Sequence, residues 1–359
     1  MKRGTNKFLI TVFVLLLAFS VVVTPFLSVE KVNAQEDGSW TTLAPLPESS
    51  HTIGVAVVDG KIYVISWSTC EKYDPETNNW TTIASVPVYS GAGSSVVALG
   101  NKIYIIGGNP TQVYDPVIDS WQNRTGIPYA RSSMRANVVD DKIYLIGGRL
   151  THTGLYIVVT SNRNDVYDPE TDTWSQMAPI PLSVMGYASA VFNNKIYIIS
   201  GGNESGPDYL PTNLVQIFDP ATNQWTNGLQ IPTSVCYARA CVTTGTSAPK
   251  RIYVIGGTTG YYDRWATYNT VNLTQIYNPE TDAWTTGTPM PTSRCSVQLA
   301  VVNDEIYAIG GVKDEKQLVA NEKYTPSGYI PEFPSWTILP LVLTITLFSI
   351  IIKRKIKRD

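Results

Sequence analysis

Residues 102–128 read KIYIIGGNPTQVYDPVIDSWQNRTGIP, and the order of features in that stretch recurs along the chain. A tryptophan stands seven residues before a proline at Trp40/Pro47, Trp80/Pro87, Trp121/Pro128, Trp174/Pro181, Trp225/Pro232 and Trp284/Pro291. Seven residues before five of those tryptophans stands an aromatic, Tyr73, Tyr114, Tyr167, Phe218 or Tyr277, opening a Tyr-Asp-Pro-like turn. Each proline is followed by an apolar run with an Ile-Tyr core, IYVI, IYII, IYLI, IYII, IYVI and IYAI. Self-similarity at this period marks a repeat architecture.

One unit resolves into four short β segments. Residues 53–58 and 62–65 are apolar runs, Lys72-Tyr73 is a third strand, and Trp80 to Ile83 alternates as a half-buried edge strand. No unit carries a helical period. Asp59-Gly60 and Asp140-Asp141 join the first two strands, and Asp74-Pro75 and Asp168-Pro169 set up type I turns in which proline pre-forms φ. Paired glycines follow the second strand at 107–108, 147–148, 201–202, 256–257 and 310–311, where they let the backbone bend and an aromatic ring lie against it.

Double glycine, tyrosine and tryptophan in this order resemble the kelch repeat, whose units are four-stranded propeller blades. The resemblance covers residues 40–325 and implies an all-β, six-bladed kelch-type β-propeller. Unit one departs from it with Ser66-Trp67 in place of the glycines, and unit six has no tryptophan after Tyr324. Residues 40–47 are a fourth strand lacking its first three, so the two ends are expected to share one composite blade that closes the ring.

The termini predict an address. Lys2, Arg3 and Lys7 precede an apolar run and Val32-Asn33-Ala34 ends it, so residues 1–34 read as a signal peptide. Residues 35–325 form the propeller and 326–335 a Pro-rich linker. Residues 336–352 carry no charge and read as a transmembrane helix, with 353–359 a basic cytoplasmic tail. Ile330-Pro331-Glu332-Phe333-Pro334-Ser335 resembles the Pro-Glu-Phe sorting signals of archaeal surface proteins, with an ordinary spacer as the alternative. The expectation is an archaeal cell-surface protein, membrane-anchored, with the propeller extracellular.

Net charge is −2 over the chain and −9 once residues 1–34 and 353–359 are set aside, which excludes nucleic acid as a partner. Asn123, Asn203 and Asn272 open candidate glycosylation triplets. Cys236 and Cys295 each lie four residues after a blade proline and form the one candidate disulfide, while Cys70 and Cys241 read as core residues.

The distance from the second to the third strand varies most among units, raising loops 149–164, 203–215, 258–274 and 312–321 on one side of one face. Blade connections bring Tyr129, Arg131, Arg135, Tyr237, Arg239 and Arg294 toward the mouth, and the loops add Tyr261, Tyr262, Arg264 and Trp265. Aromatic faces with arginine forks suit sugars, carboxylates or acidic peptide side chains. His51 and His152 are the only histidines and fall in different parts of the unit, so no metal, cofactor or catalytic constellation is expected. The Asp-Pro-Glu-Thr-Asp/Asn turns read as hairpin chemistry rather than calcium sites. The primary expectation is therefore a binding module for an extracellular protein or glycan, not an enzyme. The kelch resemblance also implies an alternative, a sugar-converting enzyme of the epimerase or mutarotase type with its site at the propeller axis.

Overall fold

The computed structural model describes residues 38–49, 52–67, 69–88, 94–150, 159–203, 210–260, 262–263, 266–267 and 269–328. Six four-stranded antiparallel sheets dominate them. From the innermost strand outward, blade one is Thr52–Val58, Lys61–Ser66, Cys70–Asp74 and Asn79–Ile83. Blade two is Ser95–Leu99, Lys102–Ile106, Thr111–Asp115 and Ser120–Arg124, and blade three is Ala136–Val139, Lys142–Ile146, Asn164–Asp168 and Thr173–Gln176. Blade four is Ala188–Phe192, Lys195–Ile199, Val215–Asp219 and Gln224–Gly228, and blade five is Arg239–Val242, Ile252–Ile255, Thr274–Asn278 and Ala283–Gly287. Blade six takes Gln298–Val302, Glu305–Ile309 and Asn321–Thr325, then Ser39–Thr42 from the other end of the chain. Its register sets Trp40 opposite Tyr324. The innermost strands neighbour one another in blade order, and that of blade six lies against that of blade one, closing the ring.

Why the repeat folds this way is visible in its aromatic pair. In each blade the third-strand aromatic packs on the fourth-strand tryptophan, with ring centroids 4.7 Å apart for Tyr73 and Trp80 and 5.0 Å for Tyr114 and Trp121. The indole N–H then reaches the preceding blade. Trp80 donates to the Ala44 carbonyl, Trp121 to Ala84, Trp174 to Thr125, Trp225 to Ala178, Trp284 to Leu229 and Trp40 to Thr288. The last residue of the hairpin turn completes the seam: the N–H groups of Ala44, Ala84, Thr125, Ala178 and Leu229 donate to Asn78, Asp119, Asp172, Asn223 and Asp282. These turn residues sit at φ between 48° and 55°, a region Asn and Asp tolerate better than most side chains. The first Asp of the turn pairs instead with a lysine, as in Lys61 with Asp74 at 2.8 Å. The core lies between blades. One cluster joins Leu46, Tyr307 and Ile309 of the closing region to Ile62 and Tyr73 of blade one.

The paired glycines do a different job from the expected stacking of rings. A Cβ on Gly256 would stand 2.6 Å from the Arg294 carbonyl, and one on Gly257 2.8 Å from that of Cys236. Gly147 and Gly148 meet the Val184 and Ser132 carbonyls in the same way. The pair is thus wedged between two successive blade connections, and it is mainly backbone that approaches.

The expected architecture needs one correction. The described residues form strands and turns without any helix, and none contains a helix long and apolar enough to cross a membrane. The predicted signal peptide at 1–34, transmembrane helix at 336–352 and basic tail lie outside the described residues. The observed fold is all-β, and the transmembrane helix is not part of it.

Candidate functional site at the propeller axis

Four blade connections meet around the axis in an unusual backbone arrangement. Ser133, Gly186, Tyr237 and Ser296, each five residues after a blade proline, have φ of 57°, 60°, 53° and 52°. They form a head-to-tail chain: Gly186 N–H donates to the Ser133 carbonyl at 2.8 Å, Tyr237 N–H to Gly186 at 2.6 Å, and Ser296 N–H to Tyr237 at 2.8 Å. A left-handed conformation costs a non-glycine residue roughly 1–3 kcal/mol, which these bonds offset. The ring of Tyr237 lies against Gly186, where a Cβ would stand 3.0 Å from it.

Two residues past this collar the chain enters the innermost strands, and there a cavity of ≈ 180 Å³ opens. All six blades line it, and its polar side chains are Ser95, Arg135, Ser189, Arg239 and Gln298. No Asp or Glu is among the described lining residues.

The two arginines are held differently. Arg239 is 9% exposed, and its Nε and Nη2 both donate to Gln298 Oε1 at 3.2 Å. The Gln298 amide is itself fixed, because its Nε2 donates to the Ser296 carbonyl of the collar at 3.0 Å. Nη1 of Arg239 is buried without a hydrogen-bond partner. Arg135 is half-buried and donates from Nη1 to the Met134 carbonyl at 3.2 Å, while its Nε is buried and unpartnered. Desolvation pushes its guanidinium down to about 10, so it still carries its charge at neutral pH. Tyr187 supports it from behind, accepting the Arg135 N–H at 3.1 Å and donating to the Ile146 carbonyl. Burial raises that phenol to about 12.

Of the ten residues expected at the mouth, the structure brings Arg135 and Arg239 to the cavity and puts Tyr237 in the collar above it. Arg131 and Arg294 are buried structural cations. Arg131 pairs with Asp165 and donates to the Leu145 carbonyl, and Arg294 pairs with Glu322 at 2.6 Å and donates to Ala308 at 3.0 Å. Tyr129 is exposed and carries the Arg163 guanidinium 4.1 Å over its ring. Tyr262 lies in a small hairpin with Ala266–Thr267, and Tyr261, Arg264 and Trp265 lie outside the described residues. Asn123 is exposed, whereas Asn203 is half-buried and Asn272 spends its amide on the Met290 carbonyl at 3.0 Å. The expected Cys236–Cys295 bridge is not formed: all four cysteines are free. Burial raises the Cys236 thiol to about 12 and that of Cys295 to about 11, leaving both in the inert protonated form.

Ser95, Ser189 and Gln298 escaped the sequence reading. The signal was available, because Arg135, Arg239 and Gln298 all stand seven residues after a blade proline. That offset is the layer facing the axis.

Comparison with known proteins follows the geometry. A family model described as the KLHDC2/KLHL20/DRC7 Kelch-repeats domain matches residues 93–311. Kelch repeat and BTB domain-containing protein 12 of Homo sapiens is 28% identical over 198 residues, covering 51% of this chain and 30% of its own. Kelch-like protein terF of Aspergillus terreus is 29% identical over 187 residues, covering 52% of this chain and 40% of its own. The chain thus spans less than half the length of these curated relatives. A solved structure titled Structure of YjhT superposes with a TM-score of 0.66 and 16% identity over 78% of this chain and 96% of that one, a likeness of fold.

These findings overturn several expectations. Matches to kelch proteins and a helix-free set of described residues support a kelch propeller but give no ground for secretion, an archaeal sorting tail, surface localisation or partnership with a membrane. An extracellular partner reached from a membrane anchor goes with them. Ranking binding above catalysis also fails, because the propeller coincides with YjhT over nearly the whole of that chain, and a fold of this kind hosts sites of either class. The kelch model covers more than half of the sequence, and the chain belongs to the kelch-repeat β-propeller family.

Proposed function

We propose that the propeller is a sugar-converting enzyme of the mutarotase type, with its site in the axial cavity. The observation that carries this reading is a concave site built from all six blades with two guanidinium groups that no carboxylate neutralises. Mutarotation opens and recloses a hemiacetal ring: the anomeric O–H loses a proton, the ring C–O bond breaks, and the ring oxygen gains a proton. Charge develops on oxygen throughout, and fixed N–H donors in a water-poor site stabilise it. A water can carry the proton, so a weak base suffices. Epimerisation at carbon needs a base able to take a C–H proton, and no carboxylate, histidine or lysine is among the described lining residues. The geometry therefore favours the mutarotase half of the alternative.

The test follows the anomer ratio of freshly dissolved aldoses and keto-sugars by NMR with and without the protein. Acceleration that falls at least tenfold in Arg239→Gln and Arg135→Gln, at unchanged thermal midpoints, supports the reading. Rates equal to buffer for every sugar overturn it.

A second reading is recognition of a protein through the looped face. The extra strands Arg131–Ser132, Arg149–Leu150 and Val159–Thr160 of blade three and Val312–Lys313 with Lys316–Gln317 of blade six favour it, because they raise a shelf beside the mouth. Most residues expected to make that contact lie outside the described ones, and for this reason the axial site takes precedence.

A further inference from the structure

We infer that the axial cavity is an oxyanion site, in which Arg135 and Arg239 together hold the carboxylate or phosphate of a small ligand. This deepens the axial-site reading by naming the charge of the ligand, and it does not depend on catalysis.

The argument starts from how this protein treats its other buried arginines. A guanidinium removed from water needs a counter-charge and acceptors for its N–H groups, or burial costs several kcal/mol. Arg131 and Arg294 obey this rule, each with one carboxylate and one backbone carbonyl. Arg239 is comparably buried, yet its one acceptor is the neutral oxygen of Gln298, shared by two of its nitrogens. Its Nη1 has none. Arg135 repeats the pattern with a single backbone carbonyl and an orphaned Nε. Buried polar groups are otherwise paired in native proteins, so two orphaned donors in one cavity mark a missing acceptor.

The surroundings are built for an acceptor as well. Gln298 pins the Arg239 fork, and the collar pins Gln298 in turn. Ser95 Oγ accepts the Ala136 N–H at 2.9 Å, which leaves its own O–H to donate. No carboxylate among the described lining residues competes for the cations. At ≈ 180 Å³ the cavity is smaller than the ~300 Å³ at which drug-sized sites begin, so the occupant is small. Planar forks of this kind match carboxylate and phosphate oxygens in two-point fashion.

The experiment is calorimetric titration of the full chain with glucuronate, glucose 6-phosphate, inorganic phosphate and glucose, at two salt concentrations. A charged sugar should bind with an affinity that falls about tenfold or more in Arg239→Gln and in Arg135→Gln, and that weakens with salt. Glucose should bind at least tenfold more weakly. Binding of glucuronate alone assigns a carboxylate, binding of glucose 6-phosphate and inorganic phosphate assigns a phosphate, and both together assign the shared oxyanion chemistry. Should the variants lose thermal stability, competition between inorganic phosphate and the charged sugar in the wild-type protein keeps the question decidable. Failure of every anion to bind overturns the inference, as does binding that both variants leave unchanged, even if neutral sugars are mutarotated. Anion binding without acceleration of any sugar upholds it while the mutarotase reading falls.

Discussion

Trp40 lies with its ring 5.1 Å from that of Tyr324, at an interplanar angle of 48°, although the two stand near opposite ends of the propeller sequence. The same pair is in register in the sheet, and the Trp40 indole donates to Thr288 of blade five at 2.9 Å. One residue therefore closes blade six and ties it to its neighbour. In the other five blades a local hairpin holds the equivalent pair together, but here the contact closes a loop of nearly the whole domain.

Replacing Trp40 by Ala should cost about 3 kcal/mol, the lower part of the range for large buried aromatics because this indole is half-buried. Chemical denaturation of Trp40→Ala against the wild type measures it. A chain that begins at Ser49 should lose the cooperative transition altogether, whereas one that begins at Gln35 should keep it.

Glu71 is the one blade position that lacks its solution. Its counterparts Gln112, Gln216 and Gln275 each clamp a blade connection, exchanging bonds with the backbone of Val88, Leu182 and Thr233. Asp165 and Glu322 pair with arginines instead. Glu71 is buried with Oε2 unpartnered. Burial raises its carboxyl pKa, aided by the charge of Glu48 and opposed by the Thr82 hydroxyl. A raised pKa means that the protonated form suits the fold, so its stabilisation is present below the unfolded pKa and is lost as pH rises through the folded one. Glu71→Gln should accordingly stabilise the protein by about 1 kcal/mol at pH 7, with the gain shrinking toward pH 4. Equal midpoints across that range would show that the carboxyl has a partner.

Arg131 was expected at the ligand and instead anchors blade three. Arg131→Met should destabilise by about 3–5 kcal/mol by leaving Asp165 without its buried partner, although Arg163 still reaches that carboxylate at 2.6 Å. Adding Asp165→Asn should recover part of the loss. A double-mutant cycle read by urea denaturation checks the coupling.

Asp304 holds the long first hairpin of blade five. It is fully buried and accepts N–H bonds from Thr244, Thr246, Ser247 and Ala248. Burial alone would raise its pKa, but the backbone donors outweigh it and the net shift is downward. Its contribution is thus present above the unfolded pKa and lost as pH falls through the folded one. Asp304→Asn should lower stability by about 2 kcal/mol at pH 7 and flatten the acid limb of the stability profile between roughly pH 4 and 2. Thermal midpoints across that window test both parts.

The repeat settled the blades before any coordinate was consulted. Alternation, Asp-Pro turns and the tryptophan spacing are properties of about 50 consecutive residues, and they dictate strands, hairpins and even the borrowed strand of blade six. The site was harder to read. Arg131, Arg135, Arg239 and Arg294 look alike in sequence, all shortly after a blade proline. Three residues after that proline a side chain points back to the third strand and finds Asp165 or Glu322; seven residues after it, the side chain faces the axis. That difference arises from the path of the connection through the left-handed collar, which no local pattern encodes. Sequence alone determined how each blade forms, because strand pairing within a hairpin is local. Only the closed ring decided which guanidiniums are neutralised and which are left facing a cavity, because a counter-charge or its absence depends on residues brought together from all six blades.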